Sequence, residues 1–128
     1  MEKISAKPML IGEVARHAGL TRDTVRFYER AGLIESSARA AGSRVYNQYA
    51  PEVVERLAFI RQSQKSGFTL REIKEFMDEW GTDFSTIPRD EVLSVMEAKL
   101  AQVEEKLRHL EELRTYLTVK LERLRAES

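Results

Sequence analysis

Three arginines four residues apart, Arg22, Arg26 and Arg30 in the stretch TRDTVRFYERAGL (residues 21–33), offer the most specific chemistry in this 128-residue chain. A guanidinium carries a fixed charge and a planar fork of N–H donors that matches the oxygens of phosphates and carboxylates. On a helix advancing about 100° per residue, Arg22, Arg26, Glu29 and Arg30 share one arc, while Phe27, Ala31, Thr24, Tyr28 and Val25 cover much of the rest. One side packs and the other presents cations. An ordinary amphipathic helix with solvated arginines shows the same pattern, so its surroundings must decide.

Other chemistry is sparse. The chain has no cysteine, which removes disulfides, thiolate nucleophiles, iron–sulfur ligation and the soft sites that select copper or mercury. Its two histidines, His17 and His109, are far apart in sequence. His17 lies beside Arg16 on a first helix and His109 on the water-facing side of a last one, so no metal site is expected. Nothing assembles a nucleophile–base pair or an oxyanion hole, and an enzyme is the weakest reading. No cofactor is expected. With no apolar run long enough for a bilayer and no signal-peptide pattern, a soluble, cytoplasmic protein is expected.

The formal net charge of zero hides an asymmetry. Residues 1–76 carry 13 Lys+Arg against 9 Asp+Glu, and residues 77–128 carry 8 against 12. A basic front beside an acidic rear suggests that only the front meets a polyanion.

The elements that position the arginines can be read from their punctuation. All six glycines precede residue 82, and Gly19, Gly32, Gly67 and Gly81 each follow a helical stretch as C-terminal stops. Thr21 is placed to cap the arginine helix, Pro51 to open the next, and Thr69 with Glu72 to form a capping box. Pro88, followed by Asp90 and Glu91, opens the last helix. Between the second and third helices, IESSARAAGSRVYNQY reads as a short hairpin with Gly42 near its tip. Helix, tight turn, helix and two-stranded wing is an arrangement that reads DNA with its second helix.

After Pro88 the glycines and prolines cease and heptads begin. With Leu93 at position a, the a series is Leu93, Leu100, Leu107, Arg114 and Leu121, and the d series is Met96, Val103, Leu110, Leu117 and Leu124. Nine of these ten are apolar, so a helix paired with another helix is favoured. From 93 to 124 it would extend about 48 Å, too far for so small a head to cover, and a second chain is expected. A helix folded back onto its own head is the alternative. Arg114 is the one polar seam residue and can set register or pair with a glutamate of the partner.

The stretches LIGEVARHAGLTRDTVRFYERAGLI and SRVYNQYAPEVVERLAFIRQSQKSGFTLREIKEFM together resemble the DNA-binding domain of the MerR family of bacterial transcription regulators. TVRFYERAGL, RVY and GFTLREI in that order carry the resemblance. It implies a mainly α fold: a winged helix-turn-helix DNA-binding domain (residues 9–80), a linker (81–88) and a dimerisation helix (89–126) that forms an antiparallel coiled coil. It implies a homodimer on double-stranded promoter DNA that bends and untwists an overlong spacer so that RNA polymerase engages.

Residue by residue, the resemblance places Thr21, Arg22 and Asp23 at the start of the recognition helix and Arg26 and Tyr28 on phosphate or base, while Phe27 falls on the packing arc and is expected partly or wholly in the core. In the wing it assigns Arg39, Arg44 and Tyr46 to the DNA backbone. The usual Gly-Tyr-Arg of the wing is here Gly42-Ser43-Arg44, and the preceding loop is a residue shorter.

Metal-sensing relatives carry cysteines in and after the dimerisation helix, and this chain has none. No large C-terminal ligand domain is expected. What remains is the joint EFMDEWGTDFSTIPRD, where Phe76, Met77, Trp80 and Phe84 can line a pocket for a small organic effector or simply weld head to stalk. Two further readings stay open: an effector-independent repressor or architectural DNA-binding protein, and a coiled-coil adaptor that binds protein instead of DNA.

Overall fold

The computed structural model describes residues 7–127 and, of Phe84, the backbone only. The chain forms two compact units, divided between Thr86 and Ile87. In the first, α1 (Ile11–Ala18) and α2 (Arg22–Arg30) are followed by β1 (Ser37–Ala41), β2 (Arg44–Gln48), α3 (Glu52–Lys65) and α4 (Leu70–Trp80). The second contains α5 (Arg89–Ala126).

Local chemistry sets the helix ends. Thr21 Oγ1 accepts the Thr24 N–H at 3.1 Å, satisfying an orphan donor at the start of α2. At α4 the capping box is complete: Glu72 N–H donates to Thr69 Oγ1 at 3.1 Å and Thr69 N–H to Glu72 Oε1 at 2.9 Å. Glu13 performs half of the same function at α1, accepting the Leu10 N–H at 3.2 Å. Between α1 and α2, Gly19 adopts φ +68°, and the Leu20 N–H turns back to the Ala15 carbonyl at 2.9 Å. The turn is tight enough to bring the two helices together.

The core of this unit is built from every helix. Val14 of α1, Val25 of α2, and Leu57 and Ile60 of α3 are completely buried, joined by Leu33, Tyr49, Ile73 and Met77. In α3 the inward residues Val53, Val54, Leu57 and Ile60 follow helical spacing. Each large apolar side chain sequestered here contributes roughly 1.5–3 kcal/mol. Arg56 Nε donates to the Leu33 carbonyl at 2.7 Å, pinning the chain where it leaves α2.

The wing is a two-stranded antiparallel ribbon with Ala41 paired to Arg44 across a two-residue turn. Gly42 has φ +63° and Ser43 does not share the positive φ, the signature of a type II′ turn, whose twist matches the strands. Both strands are exposed from Ser37 to Asn47. Tyr49, read from sequence with the hairpin, instead leaves it and pairs with Met9, exchanging backbone hydrogen bonds of 2.7 and 2.8 Å.

In the second unit α5 is 38 residues long, about 57 Å at ~1.5 Å per residue. Along its seam Leu93, Met96, Leu100, Val103, Leu107, Leu110, Leu117, Leu121 and Leu124 are each 41–60% exposed. Among the described residues, no helix is long and apolar enough to cross a membrane.

Candidate nucleic-acid interface

Because α2 turns Val25 and Tyr28 into the core, its opposite arc must face outward. Arg22, Asp23, Arg26, Phe27 and Arg30 are exposed there. Together with Arg16 in the last turn of α1 and with Tyr46 and Asn47 of the wing, these arginines line an open groove of about 1020 Å³. Four guanidinium groups face two carboxylates, Glu13 and Glu29. Both carboxylates are engaged by the protein. Glu13 takes the Leu10 N–H, and Glu29 accepts the Tyr49 hydroxyl on Oε1 and the Ser36 hydroxyl on Oε2, each at 2.5 Å. The groove is therefore a cationic concavity between helices and ribbon, suited to a polyanion.

Arg26 donates to Asp23 Oδ1 at 3.0 Å, with the carboxylate almost wholly in water. An exposed pair of this kind is worth ~0.2–1 kcal/mol and yields readily to a phosphate. Arg22 lies across the start of α1. A Cβ on Gly12 would come within 2.8 Å of its guanidinium, so the missing side chain makes the space the arginine occupies. Gly12→Ala is expected to leave stability unchanged or raise it by up to ~1 kcal/mol, because alanine is the better helix residue. It should nonetheless displace Arg22 and weaken DNA binding several-fold. Parallel thermal melts and mobility-shift titrations check this, and a loss of both together would contradict it.

In the wing, the register places Arg39 opposite Tyr46 and Ala41 opposite Arg44. Alternation then puts Arg39, Arg44 and Tyr46 on one face, with Gln48, whose Oε1 accepts a long 3.4 Å contact from Arg39. The three wing residues expected from the sequence are thus brought together.

One assignment on α2 is corrected. Tyr28, expected to grip phosphate or base, is only 6% exposed, and its hydroxyl donates to Gln64 Oε1 of α3 at 2.6 Å. Phe27, expected partly or wholly in the core, is partly covered at 46% exposed, with its ring edge-on to Tyr28 at 5.5 Å. The two neighbours sit about 100° apart at the border of the packing arc, and α3 accommodates the second. Thr21 is exposed, but its oxygen is occupied by the cap.

Of the suggested effector group, three residues lie on α4. Met77 is 3% exposed and belongs to the core, Phe76 stacks on Phe59 at 6.0 Å, and Trp80 is half-buried at the end of α4. The side chain of Phe84 lies outside the described residues. Nearby, Asp78 accepts Lys74 Nζ at 2.8 Å. The hydroxyl and N–H of Ser85 hold the Asp83 carboxyl below the usual carboxylate range. Sequence reasoning left out Arg16, Asn47 and the inward role of Glu29. Arg30 shared the arc from the start but was not assigned to DNA.

Burial, followed by the bond to Glu29, pushes the Tyr49 hydroxyl up from 10.0 to about 12. Below pH 10 both folded and unfolded chains keep this proton. Between pH 10 and 12 the unfolded chain releases it while the folded chain holds it, so stability falls as pH rises through that window. The loss from this group amounts to roughly 2–3 kcal/mol at ~1.4 kcal/mol per pH unit. Denaturant titrations at pH 9 and pH 12 should show a shallower decline for Tyr49→Phe than for wild type. Equal declines would remove Tyr49 as the cause.

A turn-linked helix pair, an exposed ribbon and an arginine-lined groove between them define a winged helix-turn-helix protein. The chain belongs to the family described as MerR HTH family regulatory protein, which matches residues 9–80; a second description, MerR, DNA binding, matches residues 54–119. The mercuric resistance operon regulatory protein of Bacillus cereus is 33% identical over 106 residues, covering 81% of this chain and 74% of that protein. The HTH-type transcriptional regulator HmrR of Sinorhizobium medicae (strain WSM419) is 32% identical over 114 residues, covering 84% and 76%.

Among solved structures, the transcription regulator PbrR691 from Ralstonia metallidurans CH34, in complex with lead(II), is similar with a TM-score of 0.68 and 34% identity over 86% of this chain and 82% of that one. HiNmlR, a MerR family regulator lacking the sensor domain and bound to promoter DNA, shares the fold at TM-score 0.52 and 23% identity, over 90% and 88%. The chain is a DNA-binding transcription regulator, and its family is not one of enzymes.

Proposed function

We propose that this regulator acts as a homodimer, with residues 9–80 reading DNA, 81–88 as linker and 89–126 as an antiparallel dimerisation helix. Two heads then sit on successive turns of a promoter and distort the DNA between them, changing how RNA polymerase engages it. The arginine-lined groove formed by α1, α2 and the wing is the observation that carries the reading. Phosphate contacts from Arg26, Arg39 and Arg44 position each head, and Arg22 and Asp23 at the start of α2 reach base edges. The exposed apolar seam of α5 supports the dimer, and two linked heads supply enough phosphate contacts to offset the several kcal/mol that bending DNA costs.

Relatives named for mercury and heavy metals suggest a metal signal, but soft metals select thiolates and these 128 residues contain none. We therefore propose regulation without a soft metal. A small organic effector at Trp80 is the second reading, favoured by the half-burial of that side chain. Trp80 is the single tryptophan, so its emission reports an effector directly.

A nuclease footprint on the DNA upstream of the gene, across a salt series and with and without mercury(II), tests the whole reading. The expected result is a symmetric protected site within a promoter spacer, weakening with salt and indifferent to mercury(II). A folded protein that protects neither this DNA nor random genomic fragments would be an adaptor for another protein.

A further inference from the structure

We propose that Glu29 is a positioning residue for DNA recognition, holding the wing at its working angle to α2 by clamping both roots of the ribbon with one carboxylate. The proposal rests on the DNA-binding reading above.

Ser36 immediately precedes β1, and Tyr49 comes directly after Gln48, the last residue of β2. Their hydroxyls donate to the two different oxygens of Glu29, on the last turn of α2, at 2.5 Å each. One side chain thus ties together the start of the ribbon, its end and the helix that carries Arg22, Arg26 and Arg30. Through the backbone pairing of Tyr49 with Met9, the same point is joined to the segment leading into α1.

The ribbon needs such a tie. From Ser37 to Asn47 every residue is exposed, so little apolar packing beneath the strands fixes their direction. Its orientation must come from its roots. A hairpin held at one root can pivot, whereas one held at both cannot swing without breaking a hydrogen bond to a charged group, which is among the stronger kinds. Tyr49 is 2% exposed and its hydroxyl stays protonated throughout the physiological range, so it remains a donor. The arrangement has a second effect. A carboxylate among four arginines would repel phosphate if it pointed outward, and here both its oxygens accept bonds from the protein.

Removal of the clamp should release the wing arginines from their phosphates while leaving the helix contacts in place. The experiment is a double-mutant cycle on the footprinted operator fragment, combining Glu29→Gln, and separately the pair Ser36→Ala with Tyr49→Phe, with Arg44→Ala. Circular dichroism and thermal melts show which variants are folded. The paired hydroxyl variant keeps the carboxylate and covers the case in which Glu29→Gln does not fold.

In the wild-type background each clamp variant should weaken operator binding about 10-fold or more. In the Arg44→Ala background the same change should cost less than about 3-fold, because the wing no longer has that grip to lose. Additive losses in both backgrounds would show a general effect on stability and overturn the proposal, even with operator binding by the wild type intact. Absence of operator binding by the wild type would overturn it together with the reading on which it rests.

Discussion

Leu107→Asp is expected to convert the protein into a monomer of 14.8 kDa in solution with a folded head. In the isolated chain Leu107 is 54% exposed near the middle of the apolar seam, so much of its apolar surface stays in water unless a partner covers it. In a two-fold dimer the substitution occurs twice. Each copy forfeits roughly 1.5–3 kcal/mol of apolar burial and places a carboxylate in the seam, where desolvation adds a further ~1–3 kcal/mol. The total, about 5–12 kcal/mol, corresponds to roughly four or more orders of magnitude in the dimer constant.

Sedimentation equilibrium checks the mass, with His109→Asp, outside the a and d positions, as a control that should remain dimeric. Operator affinity should fall by about 10²–10⁴-fold, because the second head no longer has the effective concentration that linkage provides. A Leu107→Asp protein that remains dimeric would mean that α5 pairs through another face. Leu113, 42% exposed beside Arg114, would then be the first place to look.

Arg26→Ala should weaken operator binding by about 10²–10⁴-fold and lower the salt dependence at the same time. Arg26 lies on the exposed arc of α2, lines the groove and pairs with the solvent-exposed Asp23. A charge-assisted hydrogen bond to phosphate contributes ~1.5–3 kcal/mol, and the dimer makes it twice. Removing one phosphate-bound cation reduces the slope of log K against log salt by about 0.9, so the slope of the dimer should fall by nearly 2. The measurement is a set of binding isotherms from low to moderate salt for wild type and variant. An unchanged slope would mean that Arg26 faces no phosphate, and unchanged affinity for both Arg26→Ala and Arg44→Ala in a folded dimer would remove the groove as the interface.

Helix ends, the hairpin and the heptads are legible along the chain because each depends on residues close in sequence. Thr69 and Glu72 cap α4 from three residues apart, Gly42 turns the ribbon between adjacent strands, and the seam of α5 repeats every seven residues. Periodicity likewise places Arg22, Arg26 and Arg30 on one face.

What periodicity leaves open is the identity of the opposing surface. Phe27 and Tyr28 are neighbours with equal claims to the edge of the packing arc, and Gln64, 36 residues away, selects Tyr28. Met77 carries the same apolar character whether it lines a pocket or fills a core, and the packed helices of the head bury it. Glu29 reads as one more exposed charge on the arginine arc until Ser36 and Tyr49 arrive from 7 and 20 residues away. Arg16 and Asn47 join the groove only because the turn at Gly19 and the set of the wing bring α1 and β2 to the same concavity.

The elements, most of their boundaries, the cationic face of α2 and the apolar seam of α5 were thus all present in the order of the residues, since they follow from backbone geometry and nearest-neighbour chemistry. Folding in three dimensions selected which aromatic is buried, which carboxylate turns inward and which arginines share a groove. A hydrogen bond or a packing contact between distant residues depends on where the folded chain places both partners, and no local pattern records that.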